Sequence, residues 1–169
     1  MTTLMILQVF VSVLFFVNKV FIFNGRKTGW LIGMIAAALG AIYFHRIGYN
    51  VYVTLEFGLI VLMGYGFFKG NKKNPKVERT IQVFTVLAMS MMTIFAFSGF
   101  ITLIELGSSL GLLAGAYFLT HSQIRLGWFV NAIAHLLGII LGWEKGAYVF
   151  VFFQALSVII SIMGTVRKK

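Results

Sequence analysis

Seven apolar stretches, each long enough to cross a bilayer as a helix, take up most of this sequence. A hydrocarbon core about 30 Å thick needs roughly 17–25 apolar residues of helix. The stretches cover residues 4–21, 28–44, 51–68, 80–97, 101–120, 126–143 and 147–166. Short segments rich in Asn, Gly, Lys and Arg separate them, and no long loop remains for a soluble domain. The sequence therefore predicts an all-α integral membrane protein with seven transmembrane helices.

Composition excludes several other classes of protein. Only 11% of the residues are charged, whereas soluble domains contain about 25%. The chain has no cysteine, which excludes disulfide frameworks, thiolate metal sites and cysteine nucleophiles. It also lacks a zinc-binding His-Glu-x-x-His motif, a serine nucleophile elbow and a P-loop. We therefore expect no catalytic residues, no metal site and no cofactor.

The net charge of +10 is a topology signal and not a nucleic-acid site. With seven spans, one side of the membrane receives twelve Lys and Arg residues and the other receives two, Arg46 and Lys145. Cytoplasmic loops carry the excess of basic residues, and such residues also attract anionic lipid. The pattern predicts an outside N-terminus and a cytoplasmic C-terminus in a bacterial-type inner (plasma) membrane. The twelve are Lys19, Arg26, Lys27, Lys69, Lys72, Lys73, Lys76, Arg79, Arg125, Arg167, Lys168 and Lys169.

The sequence contains an internal repeat. A shift of 98 residues aligns Trp30 with Trp128, Gly29 with Gly127, Gly40 with Gly138, Gly48 with Gly146 and Gly66 with Gly164. The shift carries spans one to three onto spans five to seven, so it predicts two parallel three-helix repeats joined by a linker helix, a 3+1+3 plan. The repeats cover residues 1–69 and 99–169, the loop and linker cover 70–98, and all form one membrane domain. Parallel repeats of this kind are common in transporters, which bind substrate near midplane at the repeat interface.

Two polar residues at equivalent positions mark the centre of the candidate site. Glu56 lies inside span three, and its repeat mate in span seven is Gln154. Ionisable side chains are costly in hydrocarbon and usually face a cavity or a partner. We expect the two to approach one another across the pseudo-two-fold axis as a substrate-binding pair. The alternative is a mutual hydrogen bond that only holds the helices together.

Helical spacing extends the candidate site. Trp128, Asn131 and His135 share one face of span six because they follow the spacing i, i+3, i+7. Either Trp of the repeat is alternatively an interfacial anchor, and a lone His is more often packed than functional. Glu105 lies close to the end of span five, so we expect it to contact water. The substrate-binding candidates besides Glu56 and Gln154 are Trp30, Tyr52, Trp128, Asn131, His135 and Ser157.

Short motifs in the first repeat resemble a known transporter family. They are Trp30-Leu-Ile-Gly33, Leu55-Glu56 and Gly64-Tyr65-Gly66, with Trp128 and Gln154 in similar places in the second repeat. The segment is similar to the first repeat of PnuC-type nicotinamide riboside transporters. That family has the 3+1+3 plan and is related in architecture to the SWEET sugar transporters. Glu56 stands where the Leu-Gln motif of the family has Gln.

The resemblance implies a homotrimeric facilitator that binds a vitamin-related nucleoside between its repeats and moves it by rocking of the repeats. A carboxylate in place of the family's amide favours a cationic ligand, such as the pyridinium of nicotinamide riboside or the thiazolium of thiamine. Three alternatives stay open. They are a SWEET-like inner-membrane protein for another small solute such as a sugar, proton- or cation-coupled transport through Glu56, and a non-transporting structural membrane protein.

Overall fold

The computed structural model of the protein describes residues 3–69, 74–120 and 123–166. All regular secondary structure in these ranges is helical. Lys72, Lys73 and residues 167–169, which the topology argument uses, lie outside the described part of the chain. The seven helices are α1 (Thr3–Phe23), α2 (Thr28–Ile47), α3 (Asn50–Lys69), α4 (Pro75–Phe95), α5 (Phe100–Thr120), α6 (Ile124–Glu144) and α7 (Tyr148–Val166).

Five of these helices, α1, α2, α5, α6 and α7, are long and apolar enough to cross a membrane. Helix α3 contains a shorter apolar stretch, Asn50–Tyr65. The outer surface of the protein carries large apolar side chains, among them Phe57, Phe100 and Trp143, and a soluble monomer rarely exposes so much apolar surface. The prediction of an α-helical membrane protein is therefore confirmed, and the bilayer is its surroundings.

Helix α4 begins earlier than the sequence predicts, at Pro75 and not at residue 80. The side chain of Asn74 caps it by accepting a hydrogen bond from the backbone N–H of Lys76 at 3.0 Å. Proline suits the first helical position because its fixed backbone angle matches the helix and it lacks only an N–H that needs no partner there. Hydropathy does not register such a polar first turn.

Helix α4 exposes apolar side chains and buries polar ones, the opposite of a surface helix in a soluble protein. Phe84 and Ile94 on its outer face are exposed, whereas Thr85 and Thr93 on its inner face are buried. Each of these threonines donates a hydrogen bond to the backbone carbonyl four residues earlier, at 2.8 Å. Their hydroxyl groups are thereby satisfied within the helix, which leaves an apolar surface facing outward.

Six of the helices form a closed ring. Helix α1 packs against α2 and α7, α2 against α3, α3 against α5, α5 against α6, and α6 against α7. The order around the ring is therefore α1, α2, α3, α5, α6, α7. Helix α4 contacts α3 and α5 and no other described helix, so it lies on the outside of the ring.

The turns that follow α2 and α6 are alike. Gly48 and Gly146 have φ angles of 81° and 64°, in the left-handed region that glycine adopts without a Cβ clash. The backbone N–H of Gly48 donates to His45, and that of Gly146 donates to Trp143. The next residue in each turn donates to the carbonyl five residues before it. Each turn reverses the chain into the following helix of the ring.

Candidate functional site

The helix ring encloses a cavity of about 130 Å³, and each of its six helices contributes to the lining. The structure brings all of the sequence-predicted substrate-binding residues to this one cavity. They are Trp30, Tyr52, Glu56, Trp128, Asn131, His135, Gln154 and Ser157.

A lysine that the sequence analysis placed elsewhere lies at the cavity. Lys19 was counted among the loop charges, and this was wrong, because it lies within α1 and only 8% of it is exposed. A signal was present, since Lys19 follows the cavity-lining Ser12 by seven residues and so shares its helix face. The basic residues still divide eleven to two without it. The adjacent Asn18 also lines the cavity and was also missed.

Lys19 begins a chain of hydrogen bonds that crosses three helices. Its Nζ contacts Nε2 of His135 and lies 3.0 Å from Oγ of Ser161. Nδ1 of His135 is hydrogen-bonded to Oε1 of Gln154. Because an amide oxygen only accepts, Nδ1 carries the ring proton and Nε2 accepts from Lys19. This assignment from the network makes His135 a neutral link between α1 and α7.

Glu56 is the acidic group of the cavity, and it is not bonded to Gln154. It is 2% exposed, and its Oε2 has no hydrogen-bond partner in the described part of the chain. Its carboxyl carbon would lie 3.4 Å from a Cβ built on Gly40. The amide carbon of Gln154 lies equally close, 3.2 Å, to a Cβ built on Gly138. Each of the two side chains therefore lies against a glycine of the helix that precedes its own.

Two asparagines reach the cavity because a glycine stands opposite each of them. The Nδ2 of Asn18 donates to the carbonyl of Gly29 at 2.7 Å, and its amide would meet a Cβ on Gly33 at 2.4 Å. The amide of Asn131 would likewise lie 2.6 Å from a Cβ on Gly115. A side chain at either glycine would displace the amide. The amides thus add donors and acceptors to a largely aromatic lining.

Trp128 is fixed in place by the helices on either side of it. Its ring lies 5.9 Å from Nζ of Lys19 and packs edge-on against Phe23, with the ring centroids 5.8 Å apart. A Cβ on Gly164 would come within 2.4 Å of the indole. Trp128 is 4% exposed, whereas its repeat mate Trp30 is partly buried.

Tyr52 is held by hydrogen bonds at both its backbone and its hydroxyl group. Its ring stacks on Phe44, with centroids 4.7 Å apart. Ser108 donates to the carbonyl of Ala134 at 2.8 Å, so the hydroxyl of Tyr52 donates to Ser108, at 2.6 Å. The backbone N–H of Tyr52 donates to Oε1 of Glu105 at 2.8 Å. The expectation that Glu105 contacts water is therefore wrong, because this side chain is 4% exposed and caps the first turn of α3.

Tyr49, in the turn between α2 and α3, links this turn to the end of α6. The hydroxyl of Tyr49 donates to the carbonyl of Leu141 at 2.6 Å and lies 3.1 Å from Oε2 of Glu144. Burial, together with the negative charge of Glu144, raises the pKa of Tyr49 above its ordinary value. Its hydroxyl group therefore keeps its proton at neutral pH and continues to join the turn after α2 to the end of α6.

The chemistry of the lining suits binding more than catalysis. It combines a carboxyl group, an amine, an imidazole, three amides and two indoles, which together offer both donors and acceptors of hydrogen bonds. The described residues contain no group of three or more metal-ligating side chains. Comparison of the chain with protein-family models, with curated proteins and with solved structures gave no match.

Proposed function

We propose that this protein is a membrane transporter that binds a small polar, ring-bearing solute in the cavity of its helix ring. The observation that carries the proposal is the presence of Lys19, Glu56 and His135 around one cavity among apolar helices. Ionisable side chains at such depth are expensive, and their usual role is to form a path or site for a polar solute. A purely structural contact between helices needs only amides, hydroxyls and small residues.

We infer that the ring consists of two equivalent halves, α1–α3 and α5–α7, with α4 as the linker of a 3+1+3 plan. Three observations support this inference. The contacts of the ring map onto one another when α1, α2 and α3 are exchanged with α5, α6 and α7. The turns at Gly48 and Gly146 have matching hydrogen bonds. Glu56 lies near Gly40, beside the ring of Phe15, and Gln154 lies near Gly138. Rocking of one half against the other would open the cavity to each side in turn.

The substrate that we propose is a vitamin-related nucleoside such as nicotinamide riboside, as the resemblance implies. Trp128 and Tyr52 would bind the ring, Asn131 and Gln154 its polar edges, and Glu56 a positive charge. The volume of about 130 Å³ is close to that of a cavity of about 150 Å³ that admits benzene. It therefore accommodates the ring, and binding of the ribose requires the two halves to separate.

We further propose facilitated diffusion in a plasma membrane, with the N-terminus outside, the C-terminus in the cytoplasm and a homotrimeric assembly. The orientation is supported by the distribution of Lys and Arg. With Lys19 left out, eleven of them would lie on the cytoplasmic side and two on the outside. The trimer rests on the resemblance to the transporter family.

Uptake into proteoliposomes tests the proposal. We expect saturable uptake of labelled nicotinamide riboside, thiamine or a deoxynucleoside, and at least a tenfold loss of it in Glu56→Gln. Glu78→Gln is the matched control, because Glu78 is also buried but lies on α4, outside the cavity lining. Absence of saturable uptake for every compound would exclude this substrate class. If Glu56→Ala and Gln154→Ala lower thermal stability and leave uptake intact, the polar residues are structural.

A further inference from the structure

Two ionisable side chains of the described cavity lining, the acidic Glu56 and the basic Lys19, are not paired with each other. Lys19 contacts two neutral acceptors, Nε2 of His135 and Oγ of Ser161. Glu56 presents an oxygen without a hydrogen-bond partner. No ion pair joins these two side chains in the described structure. Each therefore remains available to a third group that enters the cavity.

Because net charge is costly in hydrocarbon, the total number of protons held by Glu56 and Lys19 together is fixed. The cavity is electrically neutral when Glu56 is a carboxylate and Lys19 an ammonium. It is equally neutral when Glu56 is protonated and Lys19 is an amine. Both states hold the same number of protons, and any other number leaves a net charge among apolar helices, which is expensive.

We propose that the cavity binds a small organic cation at Glu56 and releases one proton for each cation bound. The bound state that keeps the cavity neutral is the carboxylate of Glu56, the cation and the neutral amine of Lys19. One proton fewer is present than before, so one proton leaves to water as the cation enters. The inference rests on the proposed transport function. It specifies the substrate class as organic cations and makes their movement a one-for-one exchange with protons in place of facilitated diffusion.

The other groups around Lys19 do not take part in this exchange. Among the described lining residues, the titratable ones are Lys19 on α1, Tyr52 and Glu56 on α3, and His135 on α6. His135 is neutral because its Nε2 accepts a hydrogen bond from Lys19 and so carries no proton, and the hydroxyl of Tyr52 donates its proton to Ser108. Helices α2, α5 and α7 contribute to the lining only aromatic, apolar, amide and hydroxyl side chains. The amine of Lys19 and the carboxyl of Glu56 are left to carry the exchanged proton.

The exchange has a consequence for pH dependence and for driving force. Because binding releases a proton, affinity for the cation rises about tenfold for each unit of pH while the pair holds its proton. The exchange moves one positive charge in each direction. Transport of the cation is therefore insensitive to membrane potential and is driven by a proton gradient.

Calorimetry of the purified, full-length protein tests the proposal. Nicotinamide riboside is the cationic probe, and its reduced dihydro form is a matched probe without the ring charge. Binding heats are measured in two buffers that differ in ionisation enthalpy, so that the difference counts protons. We expect about one proton released for each nicotinamide riboside bound, and none for the reduced form.

Two variants separate this proposal from simple binding. Lys19→Arg keeps a positive charge that cannot be lost, so we expect it to weaken binding of the cation at least tenfold while the reduced form still binds. Glu56→Gln should lose the cation and its proton release in the same way, and retain the reduced form. Lys76→Arg, an exposed substitution of the same kind on α4, should change neither.

The outcomes that overturn the proposal are distinct. If the wild-type protein binds both probes without proton release, or if Lys19→Arg binds the cation as the wild type does, the exchange is refuted and the transport proposal stands. If the wild-type protein binds neither probe, the proposed substrate is wrong and the exchange is refuted with it.

Discussion

Trp128 has its position because the residue facing it on α7 has no side chain. A Cβ on Gly164 would come within 2.4–2.6 Å of three indole carbons, and a rigid ring cannot yield as a flexible side chain does. We expect Gly164→Ala to displace the indole, to lower stability by about 1–3 kcal/mol and to weaken substrate binding. Thermal unfolding in detergent measures the loss of stability.

Gly107→Ala is the control for this substitution. A Cβ at Gly107 would lie 3.5 Å from the nearest atom, Cδ1 of Leu137, which is an ordinary contact. We expect this variant to be as stable as the wild type or slightly more stable, because alanine favours a helix over glycine. Equal stability of the two variants would show that the indole is not held by Gly164.

At this scale, helical spacing predicted more of the site than side-chain chemistry did. Trp128, Asn131 and His135 lie together at the cavity because their spacing places them on one face of a helix. The mutual hydrogen bond between Glu56 and Gln154, which was the alternative to a substrate-binding pair, is absent from the described contacts, because Gln154 bonds to His135. Which polar side chain Gln154 bonds to depends on the distances between helices, and a single sequence does not contain these distances.

Helix α4 is attached to the ring by a close contact with α3. A Cβ on Gly58 would lie 2.3 Å from Cγ2 and Oγ1 of Thr85, so the two backbones approach closely at this point. We expect Gly58→Ala to push α4 outward and to destabilise the protein by about 1–3 kcal/mol. Adding Thr85→Ala removes Cγ2 and Oγ1 but keeps the Cβ of residue 85 at 2.8 Å, so it should recover only part of that loss.

Thermal unfolding of the single and double variants checks this prediction, and limited proteolysis near α4 checks that the displaced element is the linker. If Gly58→Ala unfolds at the temperature of the wild type, the close approach of α3 and α4 is wrong.

At the scale of elements, the sequence predicted the number and order of the helices well, because hydropathy decides them. It missed the first turn of α4, where Asn74 and Pro75 start the helix. It also missed that Glu105 on α5 caps α3. Caps that come from another helix depend on tertiary packing and leave no local pattern in the sequence.

For the whole molecule, the orientation in the membrane is testable because the chain has no native cysteine. Lys76 at the start of α4 and Ser98 beyond its end are both exposed. If α4 crosses the membrane as the 3+1+3 plan requires, cysteines at these positions should react with an impermeant maleimide from opposite sides, the one at Lys76 from the cytoplasm. Labelling of both from the same side would contradict the plan.

The sequence predicted a repeat but not how its halves are joined. The 98-residue register predicts which helices correspond, and the contacts of α1 with α7 and of α3 with α5 close the ring. Those two interfaces depend on the fit of many apolar side chains that a hydropathy pattern treats as interchangeable. Lys19 was counted as a loop residue for a related reason. In the sequence, a basic residue near a helix end is indistinguishable from a topology signal, and only the packing of the ring shows that it lies at the cavity.

Ser157 offers a test of whether the cavity opens to both sides of the membrane in turn, as the proposed transport requires. This residue is 6% exposed and lines the cavity, so a Ser157→Cys protein should react slowly with a small impermeant thiosulfonate in sealed vesicles. We expect the Ser157→Cys protein to react with reagent added on either side and to be protected by substrate, whereas a cysteine at Ser98 should react from one side only. Reaction of the Ser157 variant from one side alone, or from neither, would contradict the proposed transport.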